Sequence, residues 1–265
     1  MRKAHWDDLQ CKTEVSLDEF IKIFVPDFPE GLEVTSDVAE QITNTRAWNN
    51  FISPSRDEGN EDDVFKRLVP IFDNMTVQAR NHWGNRCPSQ KWFLLLTDPT
   101  FTPYASESAS RFKPDAHMYR KGSSKTSSRA KSTFYDMAFP AVFKKRSGNA
   151  ELVDVCPASS ISFIPPTIYS QDTPNVLYSM QYMMAVNARR RFIFGITIED
   201  TSLRLWYANR SILLSSAPVD IAQVVNTSLF VFQRLSVSTG KDTLCPDLTV
   251  IRLCIGCGHG LRSIC

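Results

Sequence analysis

Long apolar runs are missing from this chain. No stretch of about eighteen consecutive residues is apolar, so the sequence offers no membrane-spanning helix. The start, Met1-Arg2-Lys3, turns polar at once and lacks the apolar segment of a secretory leader. An excess of one charge is missing too. Thirty basic residues against 28 acidic ones leave a formal charge of +2, too little to direct the whole chain to a nucleic acid. No self-similarity recurs at a period of roughly 20 to 50 residues, which excludes a solenoid or a propeller. These absences point to a globular protein of the cytoplasm or nucleus with no membrane partner. In a reducing compartment its seven cysteines read as free thiols, and the sequons at Asn74, Asn209 and Asn226 carry no glycan.

What is present suits a packed core. Hydrophobic residues make up 43% and charged ones 22% of 265 residues, an ordinary globular balance for one large domain or two small ones. Ser16-Leu17-Asp18-Glu19 is a capping box ahead of Phe20, Ile21, Ile23 and Phe24. It predicts a short helix, ended by Pro26 and Pro29. A second helix is predicted from about Asp37 to Phe51, with Val38, Ile42 and Trp48 inward. Residues 53–63 are polar and turn-rich and read as a loop. Val64 to Val77 has helical spacing through Val64, Leu68, Ile71 and Phe72. Trp92 to Leu96 fits a strand or a buried helical turn.

The chain then changes character. Residues 105–133 are rich in Ser, Lys and Arg, interrupted by Lys113-Pro114-Asp115-Ala116-His117. Phe134 to Phe143 reads as a buried strand running into Lys144-Lys145-Arg146. Residues 157–174 read as loop, and Val176 to Asn187 as helix. Arg191 to Ile198, Leu203 to Tyr207 and Ile212 to Leu214 are β-rich and predict an antiparallel meander. Asp220 is placed to cap a helix from Ile221 to Leu235. The expected class is α+β, with a helical N-terminal part packed on a mixed sheet that ends in the meander. Three parts are expected: a helical part over 1–100, an αβ part over 101–239, and a Cys-rich tail over 240–265.

Several of these stretches resemble the fungal-type protein kinase family. Phe20 to Pro26 is similar to its N-terminal helix, and Lys113-Pro114-Asp115 to its Pro-Asp element. The most specific likeness is the block from Arg189 to Ile221. It resembles the family's Arg-Phe strand, Leu-Trp strand, Asp-Arg-Ser turn and Phe-Asp-Ile ending. Asn209 stands where that family has Asp, and Val219 where it has Phe. Leu244 to Val250 resembles the segment leading towards the kinase lobe. The resemblance implies transfer of phosphate from ATP to Ser or Thr.

The machinery of that transfer has recognisable parts. The four histidines are followed by Trp6, Trp83, Met118 and Gly260, so there is no His-Arg-Asp. Asp27-Phe28 is followed by Pro29 rather than Gly. Gly256 to Gly260 is a glycine cluster with too little chain after it to build a strand and a helix around phosphates. The chain therefore reads as the non-catalytic region that precedes the kinase lobe, with an interaction or regulatory role and a protein partner. A family-type Ser/Thr kinase is the alternative.

A second likeness lies inside the first. Pro114-Asp115, a strand ending in Phe143-Lys144, and a following helix resemble the core of PD-(D/E)XK nucleases. There, an Asp and a second acid hold a divalent metal, and a Lys on the same face positions water. Asp115 and Lys144 are the candidate catalytic residues. Val142 stands where the second acid is expected, so Mg²⁺ would rely on Asp115 with Glu151 or Asp154. Lys145, Arg146, Arg189 and Arg190, with the basic stretch from Arg111 to Lys131, are candidate nucleic-acid contacts. The Ser-rich part of that stretch is also a candidate phosphorylation target. Cys254, Cys257 and His259 resemble half a zinc site, completed by Cys245 or Cys265. The plainer readings are a turn-capping Asp115, a solvated strand end at Lys144, and no bound cofactor. Trp206 and Phe192 read as hairpin core rather than as stacking platforms for bases.

Overall fold

Ser16 and Glu19 form the capping box that their spacing predicts. The Glu19 amide donates to Ser16 Oγ at 3.2 Å, and Glu19 Oε2 accepts from the Ser16 amide at 3.1 Å. These bonds satisfy donors that a helix leaves orphaned in its first turn. The helix they start, α1 (Leu17–Phe24), buries Leu17, Phe20, Ile21 and Phe24. A short strand, β1 (Thr13–Val15), precedes it. These coordinates are a computed structural model, which describes residues 13–24, 36–51, 54, 57–84, 92–96, 114–120, 137–145, 172–187 and 190–221.

The helix predicted from about Asp37 to Phe51 is two helices, α2 (Ser36–Thr43) and α3 (Arg46–Asn49). Thr45 divides them. Its hydroxyl donates to the Ile42 carbonyl at 2.8 Å and accepts from the Trp48 amide at 3.3 Å. It therefore competes with the backbone at one helix end and caps the start of the next. Ile42 and Trp48 are buried as expected. The polar stretch 53–63 likewise ends in helix rather than loop. Asn60 Oδ1 accepts from the Asp63 amide at 2.8 Å and caps α4 (Glu61–Phe65). The acidic first turn of α4 suits the positive end of its dipole. After Lys66 and Arg67 comes α5 (Leu68–Trp83).

The remaining strands are β2 (Trp92–Leu96), β3 (Ala116–Arg120), β4 (Met137–Lys144), β5 (Phe192–Glu199), β6 (Ser202–Asn209), β7 (Leu213–Ser216) and β8 (Val219–Asp220). Helix α6 (Asp172–Val186) lies between β4 and β5 in the chain. The eight strands form one open sheet in the order β1-β7-β6-β5-β4-β3-β2, with β8 paired to β6. The predicted meander is there: β5, β6 and β7 pair antiparallel in succession. Two pairs are parallel, β1 with β7 and β4 with β5, so the architecture is mixed α/β on a mixed sheet. The part read as helical also supplies β1 and β2 at the two ends of the strand order. β3 forms within a Ser/Lys/Arg-rich stretch because it pairs on both sides, with β2 and with β4. Asp220 belongs to β8, opposite Ser202; the helix expected after it lies outside the described residues.

Alternation along β5 sends its side chains to two layers. On one side α6 presses onto Gly195, where a Cβ would stand 2.6 Å from Met180 Sδ and 2.9 Å from Val176 Cγ2. Trp206, the partner of Gly195 on β6, is fully buried. Its indole Nε1 donates to Thr197 Oγ1 at 3.1 Å. On the other side α1 packs by Phe24 on Tyr207, with ring centroids 4.2 Å apart. Phe192 and Phe194 join that aromatic group. Trp206 is thus part of the core, and Phe192, half-buried, packs against it. Glu14 of β1 pairs with Arg204 of β6, which ties the first strand to the meander. No helix among the described residues is long and apolar enough to cross a membrane.

Candidate functional site

The parallel neighbours β4 and β5 end together, at Lys144 and Glu199. Ligands of α/β sheets collect at such carboxyl ends. β3 runs antiparallel to β4, so its start arrives at the same edge. Ala116 stands opposite Ala141. The register therefore sets Asp115 across from position 142, with Lys144 two residues further on the same face. The topology brings Asp115, position 142 and Lys144 to one edge. The middle position departs from the nuclease-like chemistry, since Val142 is 3% exposed and belongs to the apolar core.

The polar groups of this edge are engaged with the protein itself. Asp115 Oδ2 accepts the Phe143 amide at 2.7 Å. Lys144 Nζ lies 3.5 Å from Glu61 Oε2, and the same oxygen accepts from the Lys145 amide at 3.0 Å. The Lys145 ammonium donates to the Asp57 carbonyl and, at 3.1 Å, to the Gly59 carbonyl. Asp57 is itself fixed by the Gly59 amide at 2.8 Å and by Arg67 at 2.5 Å. The Gly59 amide and then Arg67 hold its carboxyl below the usual carboxylate range. The Asp200 amide donates to the Lys144 carbonyl at 2.8 Å. Phe65 of α4 stacks on Phe143 with centroids 5.1 Å apart. The edge is a clasp between the start of α4 and the end of β4.

Glu61 is the member that the sequence reading missed. Its signal was the Asn60 cap, which places an acid at the exposed start of a helix. Among the described residues no group of three or more His, Cys, Asp or Glu is arranged to hold a metal ion.

Of the candidate nucleic-acid contacts Lys145, Arg146, Arg189 and Arg190, the described ones, Lys145 and Arg190, lie at opposite ends of β4. Lys145 leaves the carboxyl end of β4 and spends its charge on the carbonyls of Asp57 and Gly59. Arg190 is at the other end, donating to the Met137 and Ala138 carbonyls at 2.7 and 2.8 Å. At ~3.3 Å per strand residue the two ends are about 25 Å apart. β5 pairs with β4 only from Ala141 onwards, and upstream of that point the Arg190 guanidinium bonds the strand instead. Burial lowers its pKa from the ordinary arginine value. Arg146, Arg189, Glu151, Asp154, Cys245, Cys254, Cys257, His259 and Cys265 lie outside the described residues.

A second polar feature closes the β6–β7 hairpin. Asn209 Oδ1 accepts from the amides of Ser211 and Ile212 at 2.8 and 2.7 Å. The Asn209 amide donates to the Ile212 carbonyl at 2.9 Å. An Asp at this position offers the same acceptor to the same two amides, so Asn keeps the turn. Between this turn and α6 lies a groove of about 240 Å³, floored by Leu177, Met180 and Met184.

Neither the curated proteins nor the solved structures contain a match to this chain. A family model does match part of it, from residue 165 to residue 255, covering α6 and every strand from β5 to β8. That model describes the fungal protein kinase family, so the match over 165–255 supports the resemblance read from the block Arg189 to Ile221.

Proposed function

We propose that this chain is a non-catalytic interaction or regulatory region of a fungal-kinase-like protein. The observation that carries the reading is how the described part of the matched stretch uses its polar side chains. Thr197 accepts from the Trp206 indole, Asn209 builds the hairpin turn, and Arg190 bonds the β4 carbonyls. Each serves the fold. The 265 residues contain no His-Arg-Asp and no Asp-Phe-Gly, the groups that place the substrate hydroxyl and the metal in phosphoryl transfer. A thermal-shift titration with Mg-ATP tests the reading. The melting temperature should stay flat, and saturable stabilisation by Mg-ATP would overturn it.

A second reading, a metal-dependent nuclease or nucleic-acid binder, is favoured by one observation. Asp115 and Lys144 reach the same sheet edge in the register such chemistry needs. It requires an acid from elsewhere, and Glu61 lies beside Lys144. This reading predicts nucleic-acid binding that weakens steeply with salt and cleavage abolished by Lys144→Ala. No binding at low ionic strength removes it.

A further inference from the structure

We propose that the segment β1–α1 exchanges between two copies of this chain, so that the partner in the interaction reading above, on which this inference rests, is a second copy. The seat of the segment is the first observation. β1 adds in parallel to the edge of β7, with Thr13 opposite Leu214 and Val15 opposite Ser216. The Ala217 amide donates to the Val15 carbonyl at 2.7 Å. Glu14 pairs with Arg204, and both side chains are largely buried. Phe24 stacks on Tyr207, and Phe20 stands edge-on to Phe194 with centroids 6.5 Å apart. Each of these contacts lands between Phe194 and Ala217, far from the segment in sequence.

The seat lies wholly inside the matched stretch 165–255, and the segment that fills it lies outside. The matched stretch therefore carries a strand edge, a cation and an aromatic face, which a strand, an acid and an apolar helix complete. Strand addition at a sheet edge is a general way for a domain to take a segment of another molecule. A second copy offers the same strand, the same acid and the same helix. Exchange then makes the same contacts between copies and needs no new surface. What divides the two arrangements is the connection. Residues 25–35 join α1 to α2 and include Pro26 and Pro29. Proline fixes φ, which restricts the ways this connection can return the segment to its own seat. Two reciprocal exchanges close a two-fold dimer, in which each copy gives and takes the same surface.

The test uses the full chain and the charge pair. Light scattering should show a species of twice the chain mass that grows with concentration. Glu14→Arg and Arg204→Glu each set like charges together, whether the segment sits on its own chain or on an identical copy. Each variant alone should dimerise about tenfold more weakly than the parent. Mixed in mild urea and returned to buffer, the two variants should recover the parent's dimer, because exchange between them restores an opposite pair at both seats. Circular dichroism identifies variants that remain folded. A second route does not depend on the charge changes. Val15→Cys in one chain and Ser216→Cys in another, oxidised together, should give a covalent dimer that neither gives alone. A parent that stays at the chain mass, folded variants that dimerise as the parent does, a mixture that does not recover, or no covalent dimer would each overturn the proposal. A flat Mg-ATP titration beside a strictly monomeric chain removes the exchange alone. Saturable ATP binding removes the non-catalytic reading whatever the masses show.

Discussion

The carboxylate of Asp115 accepts the backbone amide of Phe143 at 2.7 Å. The bond joins the start of β3 to the end of β4, where Phe143 also stacks on Phe65. Asp115 thus acts as a structural acceptor at the very position where a nuclease-like spacing assigns a metal ligand. Asp115→Ala leaves that amide without its partner and should cost about 1–2 kcal/mol in urea unfolding. Asp115→Asn keeps an acceptor oxygen and should recover most of the loss. A metal ligand behaves otherwise: Asn would be as defective as Ala, and the parent would be stabilised by Mg²⁺.

Thr197 and Trp206 make a second dependent pair, both buried and joined by the indole bond at 3.1 Å. Thr197→Val matches the shape and removes the acceptor, leaving a buried N–H unsatisfied. The expected loss is about 1–3 kcal/mol. Thr197→Ser restores the hydroxyl and should lose less. If Thr197→Val melts with the parent while Thr197→Ser is destabilised, the hydrogen bond contributes nothing and methyl packing explains the site.

Much of this was legible in the sequence, for reasons that differ element by element. The capping box at Ser16 and Glu19 is local, so four residues were enough to read it. The meander from Phe192 to Ser216 was legible because alternation and turn residues repeat over three neighbouring strands. β1 and β3 were not legible. Thr13–Val15 becomes a strand only because β7 offers an edge some two hundred residues away, and Ala116–Arg120 because β2 and β4 flank it. The break at Thr45 was overlooked because the apolar period continues across it, while a hydroxyl ends the helix. At the sheet edge, spacing found Asp115 and Lys144. It could not find Glu61, which arrives from a separate helix, nor could it place Lys145 and Arg190 at opposite ends of one strand.

Gly195 is the tightest point between sheet and helix. A Cβ there would lie 2.6 Å from Met180 Sδ and 2.9 Å from Val176 Cγ2. Met180 can rotate its sulfur away, but Val176 is branched at Cβ and stiff. Gly195→Ala should therefore destabilise by about 1–3 kcal/mol. In the background of Val176→Ala the same change should cost measurably less, a coupling that a double-mutant cycle reads directly. Additive losses would mean that helix α6 does not rest on this glycine.

His117 sets the acid limb of stability. It lies in β3 between Leu95 and Pro140 and is 3% exposed. Burial pushes its imidazole down from the ordinary 6.5 to about 4. The unfolded chain therefore binds a proton at this residue more readily than the folded one. The stability that neutral His117 contributes is fully present above about pH 6.5 and is lost as the pH falls from there through about 4. The gap corresponds to a loss on the order of 3 kcal/mol. Melting temperatures from pH 7 to 4 should fall more steeply for the parent than for His117→Gln, which cannot take up the proton. Carboxylates such as Asp57, held below their ordinary range, lose their contribution at lower pH and in both proteins, so they cancel in the difference. Parallel curves for the two proteins would show that His117 does not govern the acid limb.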